Sequence, residues 1–256
     1  MSYDSTLAPA GVLAALADRQ WRDYRARDPG TCFADPGFTL DLQQAYELQG
    51  AVSALRLADG DRVVGYKVGC TGPGTTAQFE MAGPIRGYLY KSEVRRTGVT
   101  LDLVDFAQLA IEGEMAIRIG EDGKIEAAFP VIELHHFIFR GPLRTLVELV
   151  ANNGLNAGIV VPEEGWLSSL THPGGSPLLT VKIGTRVVES GDLWPMAGGA
   201  AASVDWLRQH LAEFGLALTP GQIVLSGTPL GLYPVAPGDD VIVFFDNEPA
   251  VRCSIV

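Results

Sequence analysis

The stretch IEGEMAIRIG, residues 111–120, sets Glu112 and Glu114 two apart inside an apolar run. Read as a β-strand, it turns Ile111, Gly113, Met115, Ile117 and Ile119 to one side. Glu112, Glu114, Ala116 and Arg118 face the other. Alone, such a pair is the wet side of an amphipathic strand, with Arg118 able to pair across it. Glu133 is harder to place in water, because Phe129, Pro130, Val131, Ile132 and Leu134 surround it in sequence. A buried carboxylate costs several kcal/mol or gives up its charge, so an ionised Glu133 calls for a nearby cation. Two carboxylates on one strand face and a third from another strand make a three-oxygen set. Such a set suits a hard divalent ion, Mg²⁺ or Mn²⁺. Zinc is disfavoured, since no Cys or His falls at ligand spacing. His135 and His136 follow Glu133, but neighbouring strand residues face opposite ways, so at most one of them points into such a site.

Lys67 is the fourth charge in a greasy run, in RVVGYKVG between Gly65 and Gly69. Glycine beside a charged strand residue marks close approach of a ligand or another backbone. Burial lowers a lysine pKa, which would suit Lys67 to proton transfer. Lys182, in LLTVKIG, reads as an outward-facing residue beside Arg186. The loop CTGPGTTAQF lacks the spacing and Lys-Ser/Thr ending of a phosphate-binding P-loop. Ser226 lacks the following glycine of a G-x-S-x-G elbow, so a serine-hydrolase triad has no support.

These residues need a scaffold. A chain of 256 residues with 47% hydrophobic and 19% charged residues can bury one sizeable core. Its formal net charge of −11, with no basic cluster, argues against nucleic acid or an anionic membrane as partner. Cys32, Cys70 and Cys253 are scattered and odd in number, which points to a reducing compartment. No signal peptide or bilayer-spanning stretch is apparent, and a cytoplasmic protein is expected.

Residues 1–60 read as a helical N-terminal segment. Leu13, Leu16, Ala17, Gln20, Trp21 and Tyr24 form one helical stripe. Thr39 is the expected N-cap of a second helix carrying Leu42, Ala45, Leu48, Val52 and Leu55. Residues 61–256 then read as a β-rich, metal-binding catalytic domain of short strands punctuated by Gly and Pro. Two helices interrupt it, at PLRTLVELVAN and AAASVDWLRQHLAEFG. Strands and helices do not alternate, which excludes a doubly wound parallel sheet. The expected fold class is α+β, a curled mixed β-roll with helices outside.

Taken in order, VVGYKVGCT, IEGEMAIRIG, PVIEL, VANNGLNAGIVV and TPGQIVLSGTPLG…VAPGDDV resemble the fumarylacetoacetate hydrolase superfamily. The likeness is to its branch of 2-keto-4-pentenoate hydratases, 2-oxohepta-3-ene-1,7-dioate hydratases and 4-oxalocrotonate decarboxylases, and covers roughly residues 40–250. The resemblance implies a fumarylacetoacetate hydrolase-like β-roll and homo-oligomeric assembly. It implies Mg²⁺ or Mn²⁺ bound by Glu112, Glu114 and Glu133, with Lys67 as the catalytic lysine. Substrates would be small 2-oxo or 2-hydroxydienoic acids, chelated through the 1-carboxylate and 2-oxygen and converted through a stabilised enolate. Within the segments that carry the likeness, Asn153 and Thr228 are candidate substrate-binding residues.

Two departures stand out. Branch members carry an acidic residue just before the glycine matching Gly87, where this chain has Ile85 and Arg86; the nearest acid is Glu80. Arg86 is instead a candidate for holding a second substrate carboxylate. SGTPLG looks more like the corresponding segment of the superfamily's hydrolases, and the Glu114-to-Glu133 spacing is short for the branch. The resulting expectation is a hydratase. Decarboxylation, C–C hydrolysis of an acylpyruvate-like substrate, and a non-catalytic subunit partnering a related decarboxylase or hydratase are the alternatives.

Overall fold

The computed structural model describes residues 10–29, 33–34, 38–72, 75, 77, 80, 83–138, 141, 144–168 and 177–256. Cys32 lies outside them. The chain opens with helices α1 (Ala10–Ala26) and α2 (Leu42–Ala58). The α1 stripe packs inward, with Leu16, Ala17 and Gln20 buried. The N-cap of α2 is Asp41 rather than Thr39. Asp41 and Gln44 form a reciprocal capping box, in which each side chain accepts from the other's backbone N–H. A box satisfies two orphan amides where a lone threonine would satisfy one.

The rest is mostly strand. In chain order these are β1 (Val63–Gly69), β2 (Ile85–Tyr90), β3 (Val94–Arg96), β4 (Val99–Leu101), β5 (Ala110–Ile119), β6 (Ile125–His135) and β7 (Asn156–Val161). After them come β8 (Leu178–Ile183), β9 (Arg186–Asp192), β10 (Ile223–Leu225), β11 (Tyr233–Pro234), β12 (Asp240–Phe245) and β13 (Glu248–Ile255). Helix α3 (Leu146–Ala151) precedes β7, and α4 (Gly199–Glu213) precedes β10. The larger sheet runs β2-β1-β10-β5-β6-β7-β3, with β11 on β5; the smaller runs β4-β13-β12-β8-β9. Among the described residues pairing is mostly antiparallel, and parallel only at β1–β10, β3–β7 and β4–β13. This is the expected mixed β-roll with a helical N-terminal segment.

Each face of β5 has its own job. Ile111 and Met115 meet Val181 and Val243 of the second sheet in the main core. Ile117 and Ile119, further along the same face, pack with Val204, Leu207 and Leu211 of α4. Each such side chain contributes about 1.5–3 kcal/mol by leaving water. Gly113 lets the sheets close, because a Cβ there would lie 2.5 Å from Val181 Cγ2. On the opposite face, Ala116 joins Leu89, Phe129, Val131, Ile159 and Leu225 in an apolar plug inside the curl of the larger sheet. Glu112 and Glu114 continue that inner face. Lys182 is partly buried on the face of β8 turned away from Val181 and the main core.

Candidate metal centre

Register brings the charges together. β5 and β6 pair antiparallel with Glu112 directly opposite Glu133. Directly opposed residues share a face, so the two carboxylates meet. Lys67 arrives from β1, separated from β5 by β10. Its Nζ lies 2.8 Å from Glu133 Oε1 and donates to the Gly154 carbonyl at 3.1 Å. Both Lys67 and Glu133 are buried.

The glycines around Lys67 have a packing reason. A Cβ at Gly69 would lie 2.9 Å from Lys67 Cε, and one at Gly87 would lie 3.0 Å from Lys67 Cγ. A Cβ at Gly154 would lie 3.4 Å from the same stem. Gly65 serves another strand instead: its Cβ would fall 1.9 Å from the Ile223 carbonyl oxygen of β10.

His135 completes the cluster. It sits two residues after Glu133, so it shares that face of β6. Its Nε2 is 3.3 Å from Glu112 Oε2 and 3.3 Å from Glu133 Oε2. Asn156 of β7 donates through Nδ2 to Glu133 Oε1 at 2.6 Å. Glu114 accepts from the Gly227 backbone N–H. Thr228 is fixed by donating to the Gly113 carbonyl at 2.8 Å and accepting from Leu230 N–H at 3.1 Å.

Charge is divided unevenly among these groups. Burial alone would push Glu133 up, but Lys67 and His135 hold its carboxyl well below the usual range. Burial and the neighbouring Glu133 carboxylate push Glu114 well up. Burial would lower Lys67, yet the carboxylates, Glu133 foremost, more than offset this and raise it. The expectation of a lowered lysine is therefore corrected. Desolvation was the only effect foreseeable without knowing which acids face the ammonium. His135 is likewise raised: burial opposes its charge, and Glu133 overcomes that.

The cluster opens into a cavity of about 450 Å³. Lys67, Glu112, Glu114, Glu133, His135 and Thr228 all line it. Apolar walls come from Ile85, Phe137, Leu149, Leu155 and Leu230, and Arg144 and Glu189 add charge. Cys70 also lines the cavity, but burial pushes its thiol up to about 11, so it is no thiolate nucleophile.

Two expected residues lie elsewhere. Arg86 does not line this cavity. Gly87 is the β2 residue opposite Lys67, so Arg86 faces the other way. There its guanidinium lies over Tyr46, Tyr88 and Phe214 at 4.9–5.1 Å and donates to Gln49 Oε1 at 2.7 Å. Asn153 is a structural clamp: its side chain bonds both the N–H and the carbonyl of Tyr88, at 2.7 and 2.9 Å. The neighbouring Gly154 reaches the cavity in its place. Glu80 is exposed and is not among the cavity-lining residues, so it does not supply the acid absent before Gly87. His135 is the one of the two sequence-noted histidines that points into the site, and residues not singled out from sequence are Asn156, Arg144 and Glu189. The Glu133-x-His135 spacing was the available signal for the histidine. For Asn156, one of three asparagines in VANNGLNAG, only the β6–β7 pairing distinguishes it.

The donor set fits a divalent ion. One ligand atom each from Glu112, Glu133 and His135 lie within 4.8 Å of one another. His135 Nε2 is buried and lies 3.3 Å from an oxygen of each carboxylate, so the three atoms converge where an ion would sit.

Comparison with known proteins finds similar enzymes and a shared fold. No family model matches the chain. The 2-oxo-hept-4-ene-1,7-dioate hydratase of Escherichia coli is 23% identical over 245 residues, covering 85% of this chain and 88% of that protein. The 4-oxalocrotonate decarboxylase of Pseudomonas sp. (strain CF600) is 26% identical over 230 residues, covering 85% and 86%. Among solved structures, 4-oxalocrotonate decarboxylase from Pseudomonas putida G7, complexed with magnesium and adipate, superposes with a TM-score of 0.88 at 21% identity, covering 98% of this chain and 99% of that one. Fumarylpyruvate hydrolase from Pseudomonas aeruginosa, in complex with Mn²⁺ and pyruvate, gives 0.55 at 15% identity, covering 75% and 88%. The chain is thus similar in sequence to hydratases and decarboxylases, and it shares the fold of these solved structures.

Proposed function

We propose that this chain is a divalent-metal-dependent lyase that hydrates a small 2-oxo or 2-hydroxydienoic acid. The observation that carries the reading is the buried cluster of Glu112, Glu133 and His135 beside the Lys67 ammonium, at the wall of a largely apolar cavity. Glu112, Glu114 and Glu133 are the proposed carboxylate ligands of Mg²⁺ or Mn²⁺. When bound, the ion supplies Lewis-acid polarisation of the substrate's 2-oxygen.

The side chains do the rest. Lys67, held protonated among acids, is a proton donor for the dienol. Two contacts, to Glu133 and Gly154, fix its position. Thr228, locked by its backbone bonds, is proposed to border the substrate. Ile85, Leu149 and Leu155 exclude bulk water, which strengthens every charge interaction inside.

The free thiols of Cys70 and Cys253 suit a reducing compartment, and the cytoplasm is the proposed location. Among the described residues, no helix is long and apolar enough to cross a membrane. A homo-oligomer, able to complex with a related decarboxylase or hydratase subunit, follows from the family resemblance.

Decarboxylation is the second reading. It is favoured by Arg144 on the cavity wall, a cation that a dicarboxylate would use. Incubation with 2-hydroxypenta-2,4-dienoate, 4-oxalocrotonate and acetylpyruvate, each with Mg²⁺ or Mn²⁺, separates the reactions by product. The 4-hydroxy-2-oxo acid from the dienoate is expected. Release of CO₂ from 4-oxalocrotonate alone supports the second reading, and turnover of acetylpyruvate alone overturns both.

A further inference from the structure

The sequence supplies three carboxylates for an ion, and the folded cluster adds a nitrogen. His135 Nε2 stands 3.3 Å from an oxygen of Glu112 and 3.3 Å from an oxygen of Glu133. Two ligands held about 2.1 Å from one ion in cis octahedral positions are about 3 Å apart, so these separations suit a shared ion. The ring is 5% exposed, and the atoms beside Nε2 are those two carboxylate oxygens, so an ion at their meeting point would have all three as ligands. Glu114 stands outside this group of three, its carboxyl engaged by the Gly227 N–H. The neighbouring His136 has a different role: its Nδ1 accepts from Ala107 N–H at 2.9 Å.

We infer that His135 Nε2 is a metal ligand alongside Glu112 and Glu133, which makes the centre a mixed oxygen–nitrogen site that prefers Mn²⁺ to Mg²⁺. The inference rests on the proposal that this cluster holds a divalent ion. Its chemistry is that of ligand softness: imidazole suits first-row transition ions, whereas Mg²⁺ favours oxygen donors in a strict octahedron. A cluster of carboxylates alone would not discriminate in this way.

The full-length protein is loaded with Mn²⁺ and studied by pulsed electron paramagnetic resonance, with natural-abundance and ¹⁵N-histidine-labelled samples compared. A histidine nitrogen coupling that changes isotope pattern on labelling is expected. In parallel, calorimetry measures Mg²⁺ and Mn²⁺ affinities for wild type and His135→Gln. The preference for Mn²⁺ should fall by about tenfold or more in the variant. Bound Mn²⁺ without histidine coupling, or an unchanged preference, overturns the assignment of His135 while leaving the carboxylate site standing. Absence of any Mn²⁺ binding overturns the assignment together with the metal-dependent function. The spectroscopic measurement needs no variant, so a poorly folding substitution does not blunt the test.

Discussion

Replacing Lys67 with Met tests how the cluster is balanced, because the substitution keeps an unbranched apolar stem and removes only the charge. The ammonium lies 2.8 Å from Glu133 Oε1. At an effective dielectric of about 20, that separation corresponds to about 6 kcal/mol of Coulomb attraction. Part of this is offset by the desolvation that Lys67 would no longer pay. Glu133 also keeps its Asn156 hydrogen bond and its His135 neighbour. Breaking one side of a buried pair costs about 3–5 kcal/mol. For a chain of this length that is about 6–10 °C in Tm. The sign with pH follows from Glu133, whose pKa is lowered in the folded state. Its stabilisation is present above the unperturbed 4.5 and is lost as pH falls through the folded value. The gap between wild type and Lys67→Met should be widest at neutral pH and should close toward acid. A divalent ion supplies positive charge to the same carboxylates, so Mn²⁺ should raise the Tm of the variant more than that of wild type. The assay is thermal melting in chelator at several pH values, repeated with metal. A variant within about 1 °C of wild type at neutral pH in chelator would refute the buried ion pair.

Other perturbations test the surroundings. Arg86→Met should lower stability by about 1–3 kcal/mol by leaving Gln49 Oε1 unpartnered, with KM for any dicarboxylate unchanged; a selective rise in KM would return Arg86 to the substrate. Gly158→Ala should cost more than about 2 kcal/mol, since φ is +105° and the new Cβ would lie 2.1 Å from the Glu93 carbonyl oxygen. Denaturant titration that finds no loss would contradict the β3–β7 corner. Asp61 accepts from Ser92 and Arg56, which hold its carboxyl below the usual range against the opposing effect of burial. Asp61→Asn should therefore destabilise at neutral pH, with the difference vanishing as pH falls below 3.8 and through the lowered value. An equal loss at all pH values would mean packing, not charge, is responsible.

Much of the site was legible because strand periodicity is local. Alternation alone set Ile111 and Met115 on one face and Glu112 and Glu114 on the other, and only Glu133 and Lys67 argued that the glutamate face turns inward. The apolar neighbours of Glu133 called for a cation, and Lys67 provides one. What sequence could not carry was strand order. β10 lies between β1 and β5, and nothing near Lys67 or Glu133 announces that they meet. The reversed direction of the Lys67 shift has the same origin, since it depends on acids supplied by other strands. Arg86 and Asn153 were drawn from segments that do border the site, but their own side chains turn toward helices and backbone. Asp41 outranks Thr39 as a cap through a reciprocal bond with Gln44.

The most direct test of the account is calorimetric titration of Mg²⁺ and Mn²⁺ into wild type, Glu112→Gln and Glu133→Gln, with folding checked by circular dichroism. Glu112 is the better probe, being the most exposed carboxylate of the cluster and no partner of Lys67. One ion per chain in wild type, and binding weakened by about tenfold or more in each folded variant, is the predicted result. Equal binding by wild type and both variants, or no binding by wild type, would contradict it.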